Sequence, residues 1–163
     1  MRLFVAVRPP AAALASLAET LGRSVDARGH LTLAFLGEQP GPAAFLQPLT
    51  DAVARHTPFS LSLSGGQCFG GRVLSAAVVG DVSALQGLAL EVQEACRLAG
   101  AEVENRPFRP HLTLARGRGL RVPAALAAYE GPSWQVAEVE LVRSRLGRRV
   151  EHQVVQRFPL GGR

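Results

Sequence analysis

The chain has 163 residues, the length of one domain. Hydrophobic residues make up 47% of it and charged residues 19%, a composition that excludes a disordered tail. All 18 basic residues are arginines, against 13 acidic residues. The charge is uneven, with a net −2 over residues 1–105 and +7 over residues 106–163. The basic C-terminal part suits an acidic partner such as nucleic acid, although a solvated surface would have the same composition.

The cysteines and the apolar runs bear on the cellular compartment. Cys68 and Cys96 are 28 residues apart and belong to no close pair that would indicate a zinc site or a redox motif. A reduced, cytoplasmic chain is therefore expected. The apolar run 3–7 ends at Arg8, too early for a signal peptide. No apolar run approaches the roughly 18 residues that cross a bilayer, so we expect no membrane association.

Strand and helix patterns alternate through the first half of the chain. Leu3 to Val7 is an apolar run typical of a buried strand. Pro9-Pro10 opens a helix, which Gly22 ends. The next predicted elements are a strand over 30–36, a helix over 41–56, a half-buried strand over 59–64, a loop bracketed by Gly65-Gly66 and Gly70-Gly71, and a strand over 73–79.

The second half shows a matching series. Ser83 caps a helix with an apolar face from Leu85 to Ala99, which ends at Gly100. The elements that follow are a strand over 111–116, a short helix near 123–129, a strand in which Ala137, Val139 and Leu141 alternate, and a last strand over 154–158.

The pentapeptide His-Leu-Thr-Leu-Ala occurs at 30–34 and again at 111–115, and the elements after each copy match in order. This repetition indicates two similar halves, each built on a mostly antiparallel sheet with helices outside. No segment is rich enough in Ser, Gly or Pro to separate them. We therefore expect an α+β fold in a single bilobed domain over residues 1–163, with pseudo-symmetric lobes around a central active-site groove.

The repeated pentapeptide carries the chemistry. Side chains alternate along a strand, so each His and Thr faces away from the two Leu residues that enter the core. An approximate two-fold axis would bring His30, Thr32, His111 and Thr113 around one ligand. Near neutral pH, one imidazole can act as base and the other as acid. Threonine hydroxyls donate hydrogen bonds to a charged oxygen. This equipment suits proton transfer around a phosphate, without a metal or other cofactor.

Other assignments of the histidines are weaker. Metal binding is the rival, but neither copy of the pentapeptide places a Cys, Asp or Glu on the same strand face as its His. His56 and His152 lie outside the repeat, and for these two we expect surface positions or ordinary packing.

The segments 30–37 (HLTLAFLG) and 106–116 (RPFRPHLTLAR) resemble the signatures of the two-histidine phosphoesterases. The resemblance is strongest to the RNA 2′,3′-cyclic phosphodiesterase branch, also called 2′-5′ RNA ligase, and it covers nearly the whole chain. It implies a bilobed α+β fold that opens a 2′,3′-cyclic phosphate at an RNA end and leaves a 2′-phosphate. Ligation through a 2′-5′ bond would be the reverse reaction.

The resemblance also implies roles for individual residues. His30 and His111 would be the acid and the base, and Thr32 and Thr113 would hold the phosphate oxygens. We assign His111 to activate water and His30 to protonate the departing O3′, although the pseudo-symmetry leaves the opposite assignment open. Arg116 would help to neutralise the phosphate, or it would face solvent at a strand end.

The rim of the groove departs from the family pattern. Members often carry aromatic residues at the places of Ser75 and of the segment 150–152. Phe69 is then the candidate for stacking on a base, although packing is an equal explanation. The expected partner is RNA, or an oligonucleotide, with a 2′,3′-cyclic phosphate end, bound by a monomer. The alternative function is a non-catalytic RNA or nucleotide-binding module that uses the same groove.

Overall fold

A computed structural model describes residues 1–23, 25, 29–104 and 108–161. Part of the predicted second signature, Arg106-Pro107, lies outside these residues. In chain order the elements are β1 (Arg2–Val7), α1 (Ala11–Leu21), β2 (Leu31–Glu38), α2 (Ala43–Ala54), β3 (Phe59–Phe69), β4 (Val73–Gly80), α3 (Val82–Leu98), β5 (His111–Arg116), α4 (Ala124–Ala127), β6 (Trp134–Val136), β7 (Glu138–Arg145) and β8 (Glu151–Pro159). Among the described residues, no helix is both long and apolar enough to cross a membrane.

The strands form two four-stranded sheets, ordered β2-β1-β7-β8 and β5-β4-β3-β6, and every pairing is antiparallel. The predicted α+β class with two lobes is confirmed. The lobes are not the two halves of the sequence, however, because each sheet takes two strands from each half. In both sheets the strand that carries or follows a repeated His, β2 or β5, stands at an edge.

One apolar core joins the two sheets and the helices. It includes Leu31 and Leu112 from the two repeats and Leu88 from α3, all at most 1% exposed. Phe4, Ala6 and Val142 form a separate small cluster. Since Ala6 lies opposite Thr32 and Phe4 opposite Val142, these three lie on the face of the first sheet that also carries Thr32.

Helix ends follow the predicted signals in two cases and depart from them in one. Pro10 occupies the N-cap of α1, and Gly22 ends that helix in the left-handed conformation, at φ 66°. The predicted cap at Ser83 is wrong, because the N-cap position of α3 is Asp81 and Ser83 lies inside the first turn. The carboxylate of Asp81 instead accepts the backbone N–H of Ser60 at 3.0 Å, which ties the helix start to β3.

The predicted loop at Gly65-Gly66 is also wrong, because β3 runs through both glycines to Phe69. The register with β4 shifts between Leu63 and Gly66, and Gly65 takes up this irregularity at φ 71°. A Cβ on Gly66 would lie 2.5 Å from Leu126 of α4. The glycine pair therefore bends the strand and admits a helix, whereas Gly70 and Gly71 form the turn to β4 as predicted.

The strand predicted through Ala137 is two strands. β6 belongs to the second sheet and β7 to the first, and Ala137 is the single residue between them. Its carbonyl accepts the N–H of Leu160, at 2.9 Å. Apolar alternation does not distinguish one long strand from two short ones in different sheets, so the pattern does not reveal this crossing point.

Candidate active site

The predicted alternation of the repeat is present in both copies. Leu31, Leu33 and Leu112 are at most 2% exposed, whereas Thr32, His111 and Thr113 are partly exposed. Thr32 pairs with Ala6 of β1, and Thr113 pairs with Ser75 of β4. Each threonine therefore stands on the side of its sheet away from the buried leucines.

A bulge follows the threonine in both strands and changes the phase of the alternation. In β2 the register shifts between Thr32 and Ala34, after which Phe35 pairs with Phe4. In β5 it shifts between Thr113 and Ala115, after which Arg116 pairs with Val73. Residues directly opposite each other share a sheet face. The bulges thus turn Phe35 and Arg116 to the faces of Thr32 and Thr113.

A cleft of about 670 Å³ lies between the two repeats. It is lined by Thr32 of the first copy and His111 of the second, with Phe35, Phe69 and Phe108 around them. Its volume is in the range of small-ligand sites. The ring centroids of Phe69 and His111 are 5.2 Å apart, in an edge contact. His30, Thr113 and Arg116 do not line this cavity, although Thr113 and Arg116 share the sheet face of His111.

His111 has a fixed tautomer in its neutral form. Its Nδ1 lies 2.7 Å from the carbonyl oxygen of Arg109. A carbonyl oxygen only accepts hydrogen bonds, so Nδ1 must carry a proton and donate it. The lone pair of the neutral ring is then on Nε2. His111 is thus oriented as a proton acceptor.

His30 has different surroundings from His111, because its side chain is only 4% exposed and lies among charged groups. Its Nε2 is 3.0 Å from Nη2 of Arg8 and 4.0 Å from Oε1 of Glu140. Glu140 is itself 3% exposed, and its Oε1 accepts the Nε–H of Arg8 at 3.0 Å. Its Oε2 is 3.3 Å from Nε of Arg157.

The sequence and the fold can be compared with those of known proteins. A model of the 2′-5′ RNA ligase superfamily matches residues 6–148. The chain belongs to this superfamily. The predicted family resemblance is confirmed.

Several curated relatives in the superfamily are named RNA 2′,3′-cyclic phosphodiesterase. The protein of that name from Thermus thermophilus is 32% identical over 99% of this chain and 91% of its own length. The one from Geobacillus stearothermophilus is 35% identical over 82% of this chain, and the aligned part spans only 46% of that relative.

Solved structures of the superfamily have the same fold. A crystal structure from Thermus thermophilus aligns with a TM-score of 0.80 at 30% identity, over 99% of each chain. Escherichia coli LigT complexed with 3′-AMP aligns with a TM-score of 0.82 at 28% identity, over 98% of each chain.

Sequence reasoning missed several residues that this superfamily member places beside His30. Arg8 and Glu140 come from a strand end and another strand, and Arg157 pairs with the other oxygen of Glu140. No local pattern marks the two arginines. His152 was expected at the surface or in ordinary packing. It packs 5.2 Å from His30 and 5.1 Å from Phe4 between ring centroids. The missed signal was the acidic Glu140 within the otherwise apolar segment 139–142.

The remaining alternative for the histidines was metal binding, which needs several ligating side chains close together. In the part of the chain that the structure describes, no group of three or more His, Cys, Asp or Glu side chains is placed to hold a metal ion.

Proposed function

We propose that the protein hydrolyses the 2′,3′-cyclic phosphate end of RNA to a 2′-phosphate. The observation that carries this proposal is that Thr32 of one repeat and His111 of the other line a single cleft. Four related proteins with 32–35% identity bear the name of this activity, which supports the substrate class. The basic C-terminal part of the chain suits a polyanionic substrate.

In the proposed mechanism, a water molecule attacks phosphorus while the Nε2 lone pair of His111 takes its proton. The bond between phosphorus and O3′ breaks, and His30 gives a proton to the departing O3′. The 2′-phosphate remains, and proton exchange with solvent restores both rings. General acid–base catalysis of this kind contributes about 10² to 10⁴ in rate. The hydrogen bond of Nδ1 to Arg109 favours His111 as the base.

Hydrogen-bond donors would stabilise the negative charge on the non-bridging oxygens. Thr32 and Thr113 supply hydroxyls, and the bulge in β5 brings Arg116 to the face of Thr113. Such donors act where charge increases in the transition state. Phe69, in contact with His111, would offer a ring for base stacking. With a 5′-hydroxyl RNA end in place of water, the same groups would run the reverse reaction and form a 2′-5′ bond.

The test is hydrolysis of adenosine 2′,3′-cyclic phosphate in the presence of EDTA, with the product isomer identified. We expect wild-type protein to yield the 2′-phosphate. His30→Ala and His111→Ala should each lower kcat by at least about 10²-fold, because each loses a proton-transfer group. His56→Ala is the matched control, since His56 pairs with Glu91 at 3.3 Å on the helical side of the molecule. It should keep wild-type activity.

Two results would overturn the proposal. No turnover by wild type, on the nucleotide or on an RNA with a cyclic phosphate end, would favour the non-catalytic binding module. Activity that EDTA abolishes and zinc restores would indicate a metal hydrolase instead.

A further inference from the structure

The contact between Arg8 and His30 conflicts with the acid role of His30. A guanidinium group has only donors, so at 3.0 Å from Nη2 of Arg8, the Nε2 of His30 must be the acceptor. In this state the Nε2 of His30 therefore has no proton to give. An acid that delivers a proton from Nε2 has to lose the Arg8 contact first. Something must therefore draw the guanidinium away before catalysis.

We propose that Arg8 is a ligand of the scissile phosphate, and that its transfer from His30 to a phosphate oxygen lets His30 take up the proton that it later delivers. This inference rests on the proposed function and deepens it. An anionic phosphate attracts a guanidinium more strongly than a neutral imidazole does, because both partners are charged. The proton comes from solvent when the substrate binds.

Glu140 holds one nitrogen of the Arg8 guanidinium in place during this transfer. Its Oε1 accepts the Nε–H of Arg8, so the Nη2 that contacts His30 can change partners while Nε stays on the carboxylate. The same oxygen lies 4.0 Å from Nε2 of His30, so the carboxylate favours a protonated ring once Nη2 has left. Glu140 is thus a positioning residue, and Arg157 pairs with its other oxygen, at 3.3 Å.

Among the described residues, the titratable and charged groups placed next to His30 include one from each of three parts of the first lobe. They are Arg8 after β1, Glu140 on β7 and the ring of His152 on β8. Arg157 of β8 lies behind Glu140, on the other carboxylate oxygen. Of these, Arg8 is the group within hydrogen-bond distance of Nε2.

The second lobe has different residues at the equivalent places. The residue opposite His111 in β4 is Ala77, whose methyl group cannot hydrogen-bond an imidazole as Arg8 does with His30. In the first lobe, Thr32 lies opposite Ala6, and Ala6 lies opposite Glu140 on the next strand. In the second lobe, Thr113 lies opposite Ser75, and Ser75 lies opposite Gln67. The place of Glu140 is therefore taken by the neutral Gln67. A phosphate-driven change in protonation is therefore confined to His30, which breaks the symmetry that the sequence repeat suggests.

The first experiment compares Arg8→Gln and Arg8→Lys with wild type in the hydrolysis of adenosine 2′,3′-cyclic phosphate. Arg8→Gln should lower kcat/KM by about 10- to 100-fold and weaken competitive inhibition by inorganic phosphate by a similar factor, since a charged hydrogen bond is lost. Arg8→Lys should fall between the two. The control is Arg55→Gln, which removes a charge from an exposed pair with Glu91 and should change neither value.

A second measurement starts with wild-type protein, which avoids a variant that could fail to fold. The ¹⁵N resonances of His30 in wild-type protein should show Nε2 unprotonated at pH 7 and protonated after inorganic phosphate is added. His111 should not show this change. In Glu140→Gln, phosphate should still bind, but the pH at which His30 protonates in the complex should fall, because the facing carboxylate is replaced by a neutral amide.

The inference fails if Arg8→Gln keeps both the wild-type kcat/KM and the wild-type inhibition by phosphate, or if phosphate leaves the protonation of His30 unchanged. Failure of the proposed function has a different signature. In that case wild type would not hydrolyse the cyclic phosphate, while the ¹⁵N titration with phosphate would still report on Arg8 and His30.

Discussion

His30 and His111 have the same neighbours in sequence and different neighbours in space. Each is followed by Leu-Thr-Leu-Ala, and this identity predicted two groups on one cleft. What distinguishes them is on other strands, since Arg8 and Glu140 are 132 residues apart and meet only across a sheet. A local motif predicts which residues are candidates for the chemistry. It does not predict which one is acid, because that depends on pairings that the motif does not contain.

The two cysteines differ in burial, and we expect them to differ in reactivity. Burial raises the pKa of the Cys96 thiol to about 12. Cys68 is half-buried and donates a hydrogen bond from its Sγ to the carbonyl of Leu120, at 3.1 Å. Only the thiolate reacts with alkylating reagents. At pH 8, roughly one Cys96 side chain in 10⁴ would be ionised in the native state, against a much larger fraction after unfolding.

We therefore expect native protein at pH 8 to react with iodoacetamide at Cys68 alone, and unfolded protein at both positions. Mass spectrometry of the labelled peptides is the measurement, and Cys68→Ser provides a protein in which native labelling should vanish. Equal labelling rates for both cysteines without denaturant would contradict this picture of α3 packed against the core.

At the scale of elements, the apolar patterns located most of the strands, and the proline and glycine signals located both ends of α1. They did not locate the bulges. Strict alternation would have turned Ala115 to the face of Thr113, whereas the bulge turns Arg116 there. A bulge inserts one residue without changing the apolar character of the strand, so periodicity alone does not reveal it. The glycine pair Gly65-Gly66 predicts a loop, whereas the strand in fact continues through a bulge there.

Gly66 provides a test of that bulged region. Replacing it with Ala puts a methyl group within 2.5 Å of Cδ2 of Leu126, which is fully buried. We expect Gly66→Ala to lower the free energy of unfolding by about 1–3 kcal/mol, the usual cost of overpacking. Gly41→Ala is the control, because nothing lies within 4 Å of its added Cβ. Urea unfolding of the three proteins measures the difference.

The contact itself is tested by combining Gly66→Ala with Leu126→Ala in a double variant. Leu126→Ala alone should cost about 2–5 kcal/mol through the cavity that it leaves. The methyl group added at position 66 would partly fill that cavity, so the double variant should cost less than the sum of the two single variants. Additive costs would show that Gly66 and Leu126 do not compete for the same space.

At the scale of the whole molecule, the repeat in sequence and the lobes in space do not coincide. The first sheet combines β1 and β2 with β7 and β8, and the second combines β3 and β4 with β5 and β6. The sequence predicted two lobes because the elements repeat in order. It could not predict this exchange, because strand order depends on long-range pairing and every strand satisfies the same pattern in either sheet. The candidate cleft is lined by residues of both edge strands, Thr32 of β2 and His111 of β5.

This interleaving leads us to propose that the chain folds as one domain, in which neither sheet unfolds alone. Opening the first sheet would remove strands from both ends of the chain and expose the core that it shares with the second. Native-state hydrogen exchange in increasing guanidinium measures this. The slowest-exchanging amide hydrogens of β1 and β4 should report the same opening free energy, equal to the free energy of global unfolding. The four-residue helix α4 should open locally at lower cost, which shows that the method detects partial unfolding. A difference of more than about 1 kcal/mol between β1 and β4 would instead identify two units of separate stability.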